Sequence, residues 1–149
     1  MGLFSGLRGK GVDQSLDVST AVMAPVVCAM LADGNVDDDE IRQIRSLWVW
    51  SPIYARNSAE QDEEIILRAL HFVDENGAEA VCRRAATVLS PGLRETAFIF
   101  ATRVVFADGF IGAKEQEAIS AIAGWLEIDE RRARTMVEFV SIMQHTAAS

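Results

Sequence analysis

Two short acidic turns carry the residues best suited to chemistry in this chain. The tripeptide Ala-Asp-Gly occupies residues 32–34 and again residues 107–109, and in each copy an apolar residue and then a glutamate follow at the same spacing. Asp-Gly-x-apolar-x-x-x-Glu is the second half of a calcium-binding loop, in which carboxylate and carbonyl oxygens hold the ion. The pattern therefore indicates binding of a divalent cation.

The ligands follow from placing both turns in the phase of that loop. The candidate metal ligands are Asp33, Asp37, Glu40, Asp108 and Glu115. The first half of the loop is absent, because its ligand positions fall on apolar residues inside predicted helices: Ala29, Leu31, Val104 and Phe106. Neither turn alone supplies the oxygens that calcium takes. We therefore expect a weak site shared by both turns, for calcium, magnesium or zinc.

A structural interpretation of the same residues remains open. Gly34 and Gly109 can adopt the positive φ that ends a helix, and Asp37 can cap the next helix with Glu40 as its capping-box partner. In the second copy Gly112 stands where the capping aspartate would be. Capping leaves the aspartate before each glycine unexplained, because a negative charge there opposes the helix dipole.

The turns belong to an internal repeat with an offset of 75 residues. At this offset five further pairs match: Val36 with Ile111, Glu40 with Glu115, Ile44 with Ile119, Leu47 with Ile122, and Trp50 with Trp125. The pattern of each copy predicts an apolar helix, a turn and a second helix. We expect a pseudo-two-fold arrangement in which the apolar helices, residues 21–32 and 90–107, pack together centrally and bury Val26 and Phe98.

Helical periodicity extends over the whole chain after a glycine-rich start, and no segment alternates as a strand does. Residues 1–14 are predicted to be a flexible arm, and residues 15–149 a single all-α domain of about seven helices. The helices are expected over residues 17–32, 37–51, 58–75, 78–89, 90–107, 113–127 and 129–143. Their start signals are an N-cap Asp17, a Ser58–Gln61 capping box and Pro91 at a first helical position.

The composition and charge of the chain disfavour several classes of function. The net charge of −8 disfavours nucleic acid as a partner, since phosphate binding needs a basic surface. The longest apolar run, residues 21–32, is too short to span a membrane, and no secretory signal is visible. We expect a cytoplasmic protein. The acidic cluster Asp62-Glu63-Glu64 is typical of a solvated helix start.

Catalytic motifs are missing from the sequence. His71, His145, Cys28 and Cys82 lie apart from one another, without a Cys-x-x-Cys or a metalloprotease pattern. We interpret all four as structural or incidental, and we predict that the protein is not an enzyme.

A metal-independent interaction scaffold is the alternative function. Trp48, Trp50 and Tyr54 are concentrated around Pro52, and aromatic residues often anchor interfaces. Filling the core is the expected role of at least two of them. A scaffold would retain partner binding without the carboxylates of the turns, whereas a cation-responsive module would not.

The paired turns, residues 32–40 and 107–115, resemble those of the TerB-like tellurite-resistance family, which is related to the N-terminal domain of membrane-anchored DnaJ-like chaperones. The resemblance covers residues 16–145, and Met1-Gly2-Leu3-Phe4 is similar to the family's N-terminal arm. It implies a seven-helix bundle with a cytoplasmic role in tellurite or general chemical stress. It further implies an acidic cluster that binds divalent cations, and protein partners at the inner membrane.

Overall fold

Six helices form the part of the chain that the computed structural model describes, which comprises residues 16–34, 41, 45–46, 48–107, 111–145 and 147. They are α1 (Val18–Asp33), α2 (Ala59–Asn76), α3 (Ala78–Val88), α4 (Pro91–Val105), α5 (Ala113–Trp125) and α6 (Glu130–Met143). No strand occurs among these residues, so the all-α class is confirmed. Of the remaining predicted helix, residues 37–51, Ile41 and Arg45 are helical, and eight residues lie outside the described ranges. Its predicted end was wrong, because residues 46 and 48–50 form turns closed by bonds between residues three apart, such as Ser51 N–H to the carbonyl of Trp48 at 2.8 Å. The predicted arm also lies outside the described residues.

Four of the six helices begin where a polar side chain satisfies free N–H groups of the first turn. The Asp17 carboxylate accepts a hydrogen bond from the backbone of Thr20 at 2.8 Å. Ser58 and Gln61 form the predicted capping box at the start of α2. Ser90 caps α4 with Pro91 at its first position, and Asp129 caps α6. The start signals in the sequence are therefore confirmed.

Helix α1 forms the centre of the domain. Every residue from Ala21 to Met30 is buried, although Pro25 lies inside the helix. Its most extensive packing is against α4, and it also contacts α2, α3 and α5. Val26 and Phe98 are fully buried. This confirms the predicted central pair of helices, because both are apolar on most sides and each must be covered all round.

The outer helices are amphipathic and bury one face each. Helix α2 places Ile65, Ile66, Ala69 and Phe72 in the core, and α3 likewise buries Val81, Cys82 and Ala85. Gly77 separates these two helices with a φ of 85°, a conformation that glycine adopts without strain. None of the helices in the described ranges is long and apolar enough to cross a membrane.

Candidate functional site

The first acidic turn begins at the C-terminus of α1. Gly34 has a φ of 88° and its N–H donates to the carbonyl of Leu31 at 3.1 Å, which ends the helix as the sequence predicted. Asp33 is the last residue of α1. Asp37 and Glu40 lie outside the described residues, so their predicted roles as cap and ligand remain predictions.

The second turn joins α4 to α5. Phe106 caps α4, and Ile111 packs against the core, as expected for an apolar residue that holds the turn to the domain. Gly112 is the N-cap of α5, and Glu115 stands three residues later in its first turn. A Cβ built on Gly112 would come within 2.8 Å of Glu115 Oε2, so the Glu115 carboxylate lies back over the helix start.

The second copy departs from the first at Gly112. Gly112 offers no side chain to cap α5, but its missing Cβ leaves room for the carboxylate of Glu115. Asp108 and Gly109 lie outside the described residues. Within the residues that the structure describes, no group of three or more His, Cys, Asp or Glu side chains could hold a metal ion. The predicted shared cation site therefore remains a prediction.

An ion pair with a buried carboxylate holds the segment that follows the first acidic turn against α2. Arg45 Nε donates to Asp62 Oδ2 at 2.8 Å, and Asn57 Nδ2 donates to Asp62 Oδ1 at 3.0 Å. The Asp62 side chain is 0% exposed. The interpretation of the cluster at residues 62–64 as a solvated helix start was wrong for Asp62 and right for Glu63 and Glu64, which are exposed.

The sequence contains an indication of this role. Asp62 precedes the buried Ile65, Ile66 and Ala69 at helical spacing, which places its carboxylate on the apolar face of α2. A charged residue on such a face is paired when it is buried. Its partner, Arg45, belongs to another element, and the sequence does not identify it.

Residues 48–57, here called the aromatic turn, pack beside the start of α1. Trp48 and Tyr54 are fully buried, with ring centroids 6.3 Å apart. The Tyr54 hydroxyl donates to the carbonyl of Ser19 at 2.7 Å. Burial, and then the negative charges of Asp62 and Asp17, raise the pKa of Tyr54, so the hydroxyl remains a donor. The expectation that at least two of the three aromatics fill the core is confirmed.

The third aromatic, Trp50, is 66% exposed and borders a groove between the aromatic turn, α4 and α6. Phe139, which is 57% exposed, also lines this groove. We call this surface the Trp50 groove. Its lining is mainly apolar and includes Trp50, Pro52, Ile99, Phe100, Met136 and Phe139. The polar residues that line it include Glu95, Thr96, Arg132 and Thr135.

Three of the four residues that were predicted to be structural or incidental have close neighbours. His71 Nε2 lies 3.4 Å from Glu75 Oε1 on the same helix, an i,i+4 contact that supports a structural role. Cys28 Sγ lies 3.7 Å from Cys82 Sγ in the core. Each cysteine is on the buried face of its own helix, but no spacing in the sequence indicates that α1 and α3 bring the two together.

These features define a class of protein: a small helical domain built on two central apolar helices, each associated with an Ala-Asp-Gly sequence at its C-terminal end. Comparison with family models matches residues 19–137 to the family described as tellurite resistance protein TerB. The match covers most of the chain, and the chain belongs to the TerB family. Comparisons with curated proteins and with solved structures give no match.

Proposed function

We propose that this TerB-family domain acts in resistance to tellurite and related chemical stress by binding a divalent cation at its two acidic turns, without catalysing a reaction. The family assignment supports a tellurite-resistance function in general. The cation, its ligands and the non-enzymatic role are the proposed additions. The metal would be calcium, magnesium or zinc.

The observation that carries this proposal is the relation between α1 and α4. Tyr54 in the aromatic turn bonds to Ser19 in the first turns of α1, and Trp50 and Pro52 border the same groove as Gly92 and Glu95 near the start of α4. Both helices therefore begin beside one turn. They are of similar length, 16 and 15 residues, and pack against each other.

Two packed helices that start at the same place and have similar lengths end on the same side of a domain. This supports a shared site, because residues 33–40 and 108–115 follow those two ends. In such a site Asp33, Asp37, Glu40, Asp108 and Glu115 would supply hard oxygen ligands, and water would complete the coordination. It also supports the pseudo-two-fold relation that the repeat predicts.

The binding event is proposed to take place in the cytoplasm, with the domain at the inner membrane through protein partners and not through a span of its own. An acidic chain with a net charge of −8 is a poor ligand for nucleic acid. A cation at the turns would neutralise several carboxylates and alter the surface that such a partner meets.

Calorimetric titration of the full chain with calcium, magnesium and zinc, accompanied by thermal melting, tests the proposal. A ligand at a hundredfold excess over its dissociation constant stabilises a protein by about 2.7 kcal/mol. We expect affinity in the micromolar to millimolar range, as for calcium sites with incomplete ligand sets. Asp33→Asn and Glu40→Gln should each remove most of the stabilisation, and Asp108→Asn part of it.

Glu64→Gln is the matched control, because it removes one exposed carboxylate from α2, outside both turns. It should titrate as the wild type does. Identical melting curves with and without millimolar metal would contradict the proposal, and so would loss of binding in Glu64→Gln equal to that in Asp33→Asn.

A metal-independent interaction scaffold is the second candidate, and the exposed Trp50 favours it. An exposed tryptophan and an exposed phenylalanine that line the same apolar groove are typical of an interface anchor. The occupant that this lining fits is an apolar segment of a partner protein, held by the two rings and by the polar rim at Thr96 and Thr135.

Growth on tellurite of cells that depend on this chain separates the two candidates. Under the cation proposal the variant Asp33→Asn, Glu40→Gln, Asp108→Asn loses resistance, while Trp50→Ala, Phe139→Ala keeps it. The opposite result would favour the scaffold. Equal thermal stability of both variants in the absence of metal must accompany either result, since loss of the folded state would lower resistance in any case.

A further inference from the structure

Two thiols from distant parts of the chain meet in the core of the domain. Cys28 in α1 and Cys82 in α3 are separated by 54 residues, and their sulfur atoms are 3.7 Å apart. Both are free cysteines and both are buried. The contact between α1 and α3 creates this pair.

The distance is close to what a covalent link requires. A disulfide bond is about 2.05 Å long, so the sulfur atoms must approach by roughly 1.7 Å. Rotation of one or both side chains about the Cα–Cβ bond moves a sulfur atom by a distance of this order.

We propose that Cys28 and Cys82 are an oxidative modification site, a latent disulfide that a peroxide closes to lock α1 to α3. The proposal goes beyond the function proposed above, since it involves neither the acidic turns nor a cation.

The disulfide forms in two steps, and the exposure of the two thiols determines which one reacts first. Cys28 retains 6% of its surface and Cys82 retains none, so local opening of the domain exposes Cys28 first. The Cys28 sulfur attacks one peroxide oxygen, the O–O bond breaks, and the hydroxide that leaves takes a proton to become water. Cys28 is then a sulfenic acid.

The second step uses the buried thiol. The Cys82 sulfur attacks the sulfur of Cys28, the S–S bond forms and the S–O bond breaks. The hydroxide leaves with the Cys82 proton as a second water, so two thiols have reduced one peroxide to two waters. The contact with Cys28, and then burial, raise the pKa of the Cys82 thiol. It is therefore a poor first nucleophile and reacts only when its neighbour is activated.

Oxidation of the reduced, folded full chain by hydrogen peroxide tests the proposal. We expect the monomer to lose the mass of two hydrogen atoms and to yield a peptide that joins Cys28 to Cys82. Because the link closes a long loop of the unfolded chain, the melting temperature should rise by roughly 5–10 °C and return on reduction. Two thiols still titratable after unfolding, disulfides only between chains, or sulfinic acids alone would overturn it.

Single-cysteine variants test the order of the steps. In Cys82→Ala, Cys28 should stop at the sulfenic acid and be labelled by dimedone, whereas in Cys28→Ala the remaining Cys82 should stay unlabelled. Cys82→Val and Cys28→Val are the second pair, for use if alanine at either buried position impairs folding. Labelling of Cys82 but not Cys28 in variants with native circular dichroism would overturn the proposed order.

Discussion

Two ion pairs in this domain have the same chemistry and opposite surroundings. In each, an arginine Nε lies 2.8 Å from a carboxylate oxygen: Arg45 pairs with Asp62, and Arg132 pairs with Glu95. The side chains of the first pair are 29% and 0% exposed, whereas those of the second are 58% and 34% exposed. The first connects the chain after the acidic turn to α2, and the second lies on the rim of the Trp50 groove.

The difference shows that depth determines what an ion pair does here. A buried carboxylate that loses its partner leaves a desolvated charge in the core, and that loss destabilises the fold strongly. An exposed pair exchanges its partner for water at little cost. The pair at Asp62 therefore positions structure, while the pair between Glu95 and Arg132 is available to contact a partner of the groove.

The largest expected effect of depth concerns two phenylalanines. Phe98 is fully buried on the central helix α4, and Phe139 is mostly exposed on α6. Phe98→Ala should lower the free energy of unfolding by about 3–5 kcal/mol, because it removes a buried ring and leaves a cavity. Phe139→Ala should change it by less than about 1 kcal/mol. Urea denaturation of both variants measures the contrast, and equal losses would show that the two sides of the domain are packed alike.

The second-largest loss of stability is expected when the buried ion pair is broken. Asp62→Asn keeps the shape of the side chain but leaves Arg45 without its carboxylate, and we expect a loss of about 2–3 kcal/mol in the free energy of unfolding. Glu95→Gln should shift the melting temperature by about 2 °C or less, since both partners are solvated. Thermal melts at low and high salt measure both. If salt weakened the Asp62 pair, or if Glu95→Gln were as unstable as Asp62→Asn, the conclusion that burial determines the role of each ion pair would be wrong.

The cap of the central helix should have a smaller effect that depends on pH. Burial raises the pKa of Asp17, but hydrogen bonds from Thr20 and Ser19 and the charge of Arg68 outweigh it and leave the pKa below its ordinary value. Its contribution is therefore present above about pH 4 and lost as the pH falls through the lowered pKa. Asp17→Ala should cost about 1 kcal/mol at neutral pH and progressively less in acid. Melts of Asp17→Asn, an equally good cap without a charge, should lack this acid dependence.

The smallest effect is expected at the end of the same helix. A negative charge at the last residue of α1 opposes the helix dipole, so Asp33→Asn without metal should be neutral or stabilising by less than about 0.5 kcal/mol. Melts in a chelator measure this value. A clear destabilisation in the chelator would show that Asp33 has a structural partner. It would count against the interpretation that the charge of Asp33 serves a bound cation and not the fold.

Much of the fold could be predicted because its causes are local. The N-caps at Asp17, Ser58, Ser90 and Asp129 use bonds between residues two or three apart, and the positive φ of Gly34 follows from its missing side chain. The central packing of α1 and α4 also follows from the sequence, because helices that are apolar all round have no face to leave in water.

The candidate site was predictable only in part. The sequence identifies five acidic residues and the repeat that relates them, but the backbone of Asp33 and the residue Glu115 are all that the structure describes of that set. The lid-like position of Glu115 over Gly112 depends on a side-chain rotamer, which residue spacing does not specify.

What the sequence determined by itself is therefore the helical class, most of the helix starts and ends, the family and the central pair of helices, since each arises from contacts within one turn or from the apolar pattern of one helix. The tertiary structure alone decided that Asp62 is a buried anchor, that Trp50 is the exposed aromatic of three, and that Cys28 meets Cys82. Each of these depends on which helix lies beside which, and side chains 17 to 54 residues apart come together only when separate helices pack.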